Sequence, residues 1–333
     1  MLISRARGDS AESVATGMTR RGVFRAAAGA AGGAVLLGSA AEAATPKGRR
    51  VLRLAHLTDI HITPERNAEA GFAACLEHVQ GLDDAPELIL FGGDCIMDAF
   101  AQDPETVSKQ WNLWHRRLEQ DCSLPVESCI GNHDVWGWRG GGFEPSTDGS
   151  CPGKRSAVEE LGLPGRYRAF EKAGWKFVVL DSTYPGAEPG TYTAKIDEEQ
   201  FDWLVKELEA TPASTPILVL SHIPIMAACP FLDGDNEQSG NWQVPGAWMH
   251  IDARRLTALF HERGNVRACL SGHIHLADRV DYLGTTYSCN GAVCGGWWKG
   301  PYQQFGPAYA VVELYDDGSS ECRMISYGWD SQG

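Results

Sequence analysis

Five short blocks carry the side chains that could do chemistry: Asp59-x-His61, Gly93-Asp94, Gly131-Asn132-His133-Asp134, Ser221-His222 and Gly272-His273-x-His275. Leaving His133 and Asp134 aside, they offer two carboxylates (Asp59, Asp94), one amide (Asn132) and four imidazoles (His61, His222, His273, His275). Neutral imidazole with carboxylate suits divalent Mn, Fe, Zn or Co, and the lack of thiolate in the set argues against a structural zinc cage. Seven donors are too many for one tetrahedral ion. Two ions about 3.5–4 Å apart use them all if one carboxylate bridges.

The elements that must position these donors repeat one plan. Apolar runs at 51–58, 87–93, 126–131, 216–221 and 266–272 read as buried strands, each ending at a donor block. Helical patterns lie between them at 68–80, 105–119, 198–210 and 253–262. This alternation predicts an α/β fold. In open α/β sheets ligands gather beyond the carboxyl ends of strands, where all five blocks stand. Two long loops, 135–156 and 228–250, follow site residues closely and are expected to frame a substrate. After His275 the pattern turns to short β-like pieces at 277–282, 285–289, 309–315 and 321–327, expected to be antiparallel.

With its five blocks in the order DxH, GD, GNHD, H and GHxH, the chain resembles the calcineurin-like metallophosphoesterase superfamily from Asp59 to His275. The resemblance implies a four-layer α/β/β/α sandwich, two mixed sheets flanked by helices, as a single domain over 51–333. It implies that Asp59, His61 and His275 hold a first divalent ion and Asn132, His222 and His273 a second, with Asp94 bridging. A hydroxide between the ions would attack phosphorus in line, and Asp94 and His133 would be the catalytic residues, His133 on the leaving-group side. The GNHD form leans toward a phosphodiesterase. A phosphomonoesterase or nucleotidase on the same site, and a non-catalytic metal-binding module, are the alternatives. Relatives of the purple acid phosphatase type carry a Tyr three residues after the bridging Asp, and protein Ser/Thr phosphatases an Asp; here that position is Met97, so no purple iron site is expected. Support for His133 then falls to Asp98 or Asp134.

Other residues have plainer readings. His56 lies inside the first strand and reads as a hydrogen-bonded core histidine or a support for the donors. His250, at the end of a long loop, is a lesser candidate for reaching substrate. Asn132, Trp136, Trp138, Trp297 and Trp298 are candidates to contact substrate, the tryptophans as stacking surfaces or, equally, as packing. Asp181 reads as a turn or cap residue with no chemistry.

Residues 1–44 read as a cleavable export signal, with 45–50 a linker. Arg20 and Arg21 precede Val23-Phe24-Arg25, an uncharged run at 26–41 and the A-x-A site Ala41-Glu42-Ala43. The layout resembles a twin-arginine signal, which implies the twin-arginine (Tat) export machinery as a partner and a periplasmic or secreted product. The apolar run is shorter than the ~20 residues of a stable span, so no membrane anchor is expected after cleavage. The chain of 333 residues carries a formal charge of −14, which argues against nucleic-acid binding. The expected substrate is a small-molecule or envelope phosphate ester. Ten cysteines, none in the leader, read as mostly structural, with Cys122/Cys129 and Cys289/Cys294 near enough in sequence to pair.

Overall fold

A computed structural model describes residues 48–137, 152–188 and 190–330. The export signal, Trp138 and most of the first long loop therefore lie outside the described residues. The first half runs β1 (Arg50–Leu57), α1 (Ala68–Gln80), β2 (Leu88–Phe91), α2 (Pro104–Asp121), β3 (Val126–Ser128) and α3 (Pro152–Glu160). There follow β4 (Arg168–Lys172), β5 (Trp175–Val179), β6 (Thr183–Pro185), β7 (Tyr192–Ala194), α4 (Glu198–Ala210) and β8 (Ile217–Leu220). The chain ends with α5 (Ala253–Arg263), β9 (Val266–Ser271), β10 (Asp278–Tyr282), β11 (Thr285–Cys289), β12 (Ala308–Tyr315) and β13 (Ser320–Ser326).

Two mixed sheets result. One has the order β13-β12-β1-β2-β3, the other β10-β11-β9-β8-β5-β4. β1, β2 and β3 are parallel, as are β5, β8, β9 and β11, and the central strands β2, β5 and β8 are largely apolar runs buried along their whole length. Side-chain alternation along β1 shows the layering. Leu52 and Leu54 point into a core shared with Phe177, Val179, Leu218 and Leu270 of the other sheet. Ala55 and Leu57 point the other way, onto Phe72 and Leu76 of α1 and Trp111 and Trp114 of α2. On the far side, Val178, Val219 and Val266 pack against Leu204 and Leu208 of α4 and Leu256 and Phe260 of α5. The layers are thus helix, sheet, sheet, helix, as the resemblance implies.

Local chemistry fixes the helix ends. Asp103 caps α2 by accepting from the Glu105 and Thr106 amides, both at 3.0 Å, with Pro104 at the first turn. Asp197 does the same for α4, accepting from Gln200 at 2.8 Å.

The structure departs from the sequence expectations after β3. A helix, α3, opens inside what reads as loop, and four strands, β4 to β7, occupy residues 168–194. The C-terminal strands also do not form one antiparallel group. β10 and β11 pair antiparallel, but β11 joins β9 in parallel, while β12 crosses to the other sheet and pairs antiparallel with β1. β12 thereby covers the open edge of β1. Asp181 is also more than a turn residue. Its buried carboxylate accepts from Lys154 Nζ of α3 at 2.6 Å and lies 3.3 Å from Arg166, which bridges on to Asp197 at 2.6 Å.

Candidate metal centre

The donor blocks all leave the carboxyl ends of parallel strands, and the chain turns sharply at each. Asp59, His61, Asp94, His273 and His275 have φ of 55°, 46°, 53°, 72° and 60°, a left-handed region that side chains other than glycine seldom occupy. Such backbone geometry persists where surrounding contacts over-determine it, and it clusters at functional sites. Two glycines make the approach possible. A Cβ at Gly131 would overlap the amide nitrogen and Oδ1 of Asp94, and one at Gly272 would overlap Thr58 Oγ1 and Asp59 Oδ2. The glycines of the motifs are therefore there to let two turns touch.

Each imidazole donor gives its outer N–H to a backbone carbonyl. His222 Nδ1 donates to Gly92 at 2.7 Å, His275 Nδ1 to Gly295 at 2.6 Å, His273 Nε2 to Ala247 at 3.0 Å and His61 Nδ1 to Met97 at 3.4 Å. These bonds fix the tautomers so that the remaining nitrogen of each ring faces inward with its lone pair.

The inward atoms form two groups. In one, His61 Nε2 is 3.2 Å from His275 Nε2 and 3.6 Å from Asp94 Oδ2, and His275 Nε2 is 3.4 Å from Asp59 Oδ1. In the other, His222 Nε2 is 3.2 Å from His273 Nδ1, 3.0 Å from Asn132 Oδ1 and 3.3 Å from Asp94 Oδ2. Asp94 Oδ2 belongs to both. Donors each bound at about 2.1 Å to one ion stand roughly 3.0–3.5 Å apart, so these spacings fit two coordination shells sharing a carboxylate. Asp59 Oδ1 is buried with no hydrogen-bond partner, as a donor reserved for a cation would be. Its other oxygen is occupied, accepting from Thr58 Oγ1 at 2.6 Å and the His273 amide at 2.9 Å.

Electrostatics support the same reading. Burial and neighbouring imidazoles push His61 and His273 down to about 3, keeping them neutral. Burial also opposes charge on His222, but the Asp94 and Asp59 carboxylates beside it raise it to about 9. In the metal-free protein, protons on imidazole thus stand where cations would balance the carboxylates.

His133 is half-buried, and its Nδ1 donates to the Met97 carbonyl at 2.7 Å. Neither carboxylate expected to support it does so. Asp98 accepts from the Phe100 amide at 2.8 Å and closes its own turn. Asp134 is buried and accepts from the amides of Gly131, Asp94 and Cys95 at 2.8, 3.0 and 2.8 Å, tying two donor turns together. Burial and the adjacent Asp94 raise Asp134 to about 7. His56 is a buried core residue whose Nδ1 accepts from Asn290 at 2.8 Å.

The tryptophans divide. Trp298 is 2% exposed and its indole N–H goes to the carbonyls of Ile60 and His61, so it is packing and not a substrate contact. Trp136 donates to the Gln102 carbonyl at 2.8 Å and packs on the helix-side core. Trp297 lies over His275 with ring centroids 4.4 Å apart, and Tyr302 meets it edge-on at 5.3 Å. On the other flank Phe100 stands 4.5 Å from His133, and Tyr192 6.3 Å from His273. Sequence reasoning missed Phe100, Tyr192 and Tyr302, since a lone aromatic in a loop or in a three-residue strand such as β7 carries no periodic signal. It read Cys294 as structural only; its Sγ is 3.9 Å from His275 Nδ1, the nitrogen turned away from the centre. All nine described cysteines are free, so neither sequence-adjacent pair is bonded.

The profile of the calcineurin-like phosphoesterase family matches residues 52–277, which contain every donor. The chain belongs to that family. Among calcineurin-like phosphoesterases it is similar to a 3',5'-cyclic-nucleotide phosphodiesterase of Nostoc, at 22% identity over 80% of this chain and 90% of the relative. It is also similar to the 3',5'-cyclic adenosine monophosphate phosphodiesterase CpdA of Escherichia coli, at 23% identity over 82% and 88%. The fold matches a dimetal phosphatase of Danio rerio with a TM-score of 0.57 at 15% identity, covering 84% of this chain and all of that one. This calcineurin-like chain is a metal-dependent phosphoester hydrolase that uses two divalent ions.

Proposed function

We propose that the protein is an exported phosphodiesterase in which Asp59, His61 and His275 hold one ion, Asn132, His222 and His273 the other, and Asp94 both. The observation that carries the two-ion assignment is the sharing of Asp94 Oδ2 between two groups of inward-facing donors, at 3.6 Å from His61 and 3.3 Å from His222. Held by these residues, a pair of divalent cations would supply a water of lowered pKa and positive charge to offset that on the phosphate oxygens. The chain's own residues do the rest. Asp94 Oδ1 accepts from the His133 amide at 2.8 Å, which holds His133 beside the centre. With Nδ1–H anchored on Met97, His133 as the imidazolium presents Nε2–H to the departing oxygen, gives it that proton and is left as neutral imidazole. Trp297 and Phe100 wall the centre on its two flanks, where an apolar or planar group attached to phosphate would rest.

The diester preference is supported by the names of the relatives from Nostoc and Escherichia coli and by the GNHD block. Export is supported by the twin-arginine layout of residues 1–44 and makes nucleotides, glycerophosphodiesters and phosphate-linked envelope polymers substrates to set beside cyclic nucleotides. The test is turnover of metal-reconstituted enzyme on parallel panels of monoesters, diesters and cyclic nucleotides. The expected result is faster hydrolysis of diesters, cyclic or linear. Faster hydrolysis of monoesters would make the protein a phosphomonoesterase, and no hydrolysis of any ester by the two-ion form would make it a binding module. Fractionation of cells carrying R20K/R21K tests export: the variant stays in the cytoplasm, and unchanged release would overturn the twin-arginine reading.

A further inference from the structure

His222 and His273 reach the centre from the ends of different strands, yet one short segment, residues 246–252, stands behind both. His273 donates its outer N–H to Ala247 of that segment. His222 sits in the turn after β8, and His250 grips that turn on either side of it. The His250 amide donates to the Pro224 carbonyl at 3.0 Å, and its Nε2 lies 3.3 Å from Ser221 Oγ. Ser221 Oγ in turn donates to the Ile223 carbonyl at 2.7 Å, spanning His222. The His250 ring is 3% exposed and is held by Asp252, whose Oδ1 accepts from Nδ1 at 2.9 Å. Asp252 is itself pinned, its Oδ2 accepting from the Ile196 amide at 3.1 Å. The segment is anchored at both ends on Ala194, whose amide donates to Gly246 at 2.7 Å and whose carbonyl accepts from Ile251 at 2.9 Å.

Asp252, His250 and Ser221 are the residue types of a nucleophilic triad, but their setting gives them a different task. Ser221 is 1% exposed, so no substrate reaches its oxygen, and its hydroxyl proton is engaged by Ile223. With Nδ1–H given to Asp252 and the Ser221 proton given to Ile223, the remaining contact is His250 Nε2–H donating to Ser221 Oγ from an imidazolium paired with the Asp252 carboxylate, and this chain of contacts braces a turn. We propose that His250, held by Asp252, is a positioning residue for the second ion: it fixes turn 221–224 so that His222 Nε2 stays in register with His273 Nδ1 and Asn132 Oδ1. The inference rests on the assignment of those three donors to one ion. Removing a partner that orients a metal ligand typically costs about 10–100-fold in affinity, which sets the expected effect. His250 therefore does not contact substrate, contrary to the lesser possibility its loop position suggested.

The experiment titrates Mn²⁺ into the metal-free protein by calorimetry and follows the spin-coupled pair by electron paramagnetic resonance. In His250→Ala and Asp252→Asn the second Mn²⁺ binds roughly 10–100-fold more weakly and the coupled signal fades, while the first binds as in the parent. His250→Gln, whose amide can donate to Ser221 Oγ, recovers part of the loss. Equal weakening of both ions with a lower melting temperature would mean a general structural role and would overturn the proposal. His222→Ala separates this failure from failure of the underlying assignment. If His222→Ala abolishes the second ion and the His250 and Asp252 variants change nothing, the brace is wrong and the assignment stands. If His222→Ala leaves both ions in place, the assignment itself is wrong and the brace falls with it.

Discussion

Met97 contributes no reactive side chain, yet its carbonyl accepts from both His61 and His133 and so aligns a metal donor with the proposed proton donor. His133→Ala is accordingly expected to keep both ions and lose about 10²–10⁴-fold in kcat on esters with poor leaving groups, the usual value of general-acid help. Wild-type turnover by that variant would remove His133 from the mechanism. A second residue-scale prediction concerns pH. In the metal-free protein His222 is held near 9, above its ordinary value, so at neutral pH an entering cation must displace its proton. Affinity for the second ion should rise with pH by up to about tenfold per unit and level off above about 9. Calorimetric titrations at several pH values check this, and an affinity flat between pH 6 and 8 would contradict it. The donors themselves were legible in the sequence, because a His or Asp at a strand end announces its chemistry. Their orientation was not. Met97, Ala247 and Gly295 act through backbone carbonyls, and every residue has one.

Among the elements, the strands that carry donors were the readable ones. β1, β2, β8 and β9 are buried, apolar and closed by glycine or a polar residue, and sequence places them within a few residues of where they lie. β4 was missed because Arg-Ala-Phe-Glu-Lys is an edge strand with a mixed, partly exposed face. α3 was missed because it emerges from a glycine-rich stretch with a weakly apolar face. The parting of β12 from β11 into separate sheets is a long-range pairing that local pattern does not encode. α3 is instead held by ion pairing: Lys154, 2% exposed, meets Asp181, 1% exposed. Asp181→Ala leaves that ammonium buried without its carboxylate and is expected to cost about 3–5 kcal/mol, measured by denaturant unfolding. A loss within experimental error would show that the pair contributes nothing beyond its hydrophobic isostere.

At the scale of the whole molecule, two sheets packed face to face bring their donor-bearing turns together at one edge of the sandwich. β1 and β2 of one sheet supply Asp59, His61 and Asp94, and β8 and β9 of the other supply His222, His273 and His275. Neither sheet alone holds a complete donor group, since His275 completes the first and Asp94 the second. Metal binding thus ties the sheets to each other, and the metal-loaded chain should resist unfolding more than the chelated one. The most direct measurement is metal content by mass spectrometry of the purified protein and its Asp94→Asn variant after reconstitution with Mn²⁺. Two ions per chain are expected in the parent, and at most one, with turnover lost, in the variant. A parent that takes up a single ion, or an Asp94→Asn protein that holds two and works undiminished, would contradict the two-ion assignment.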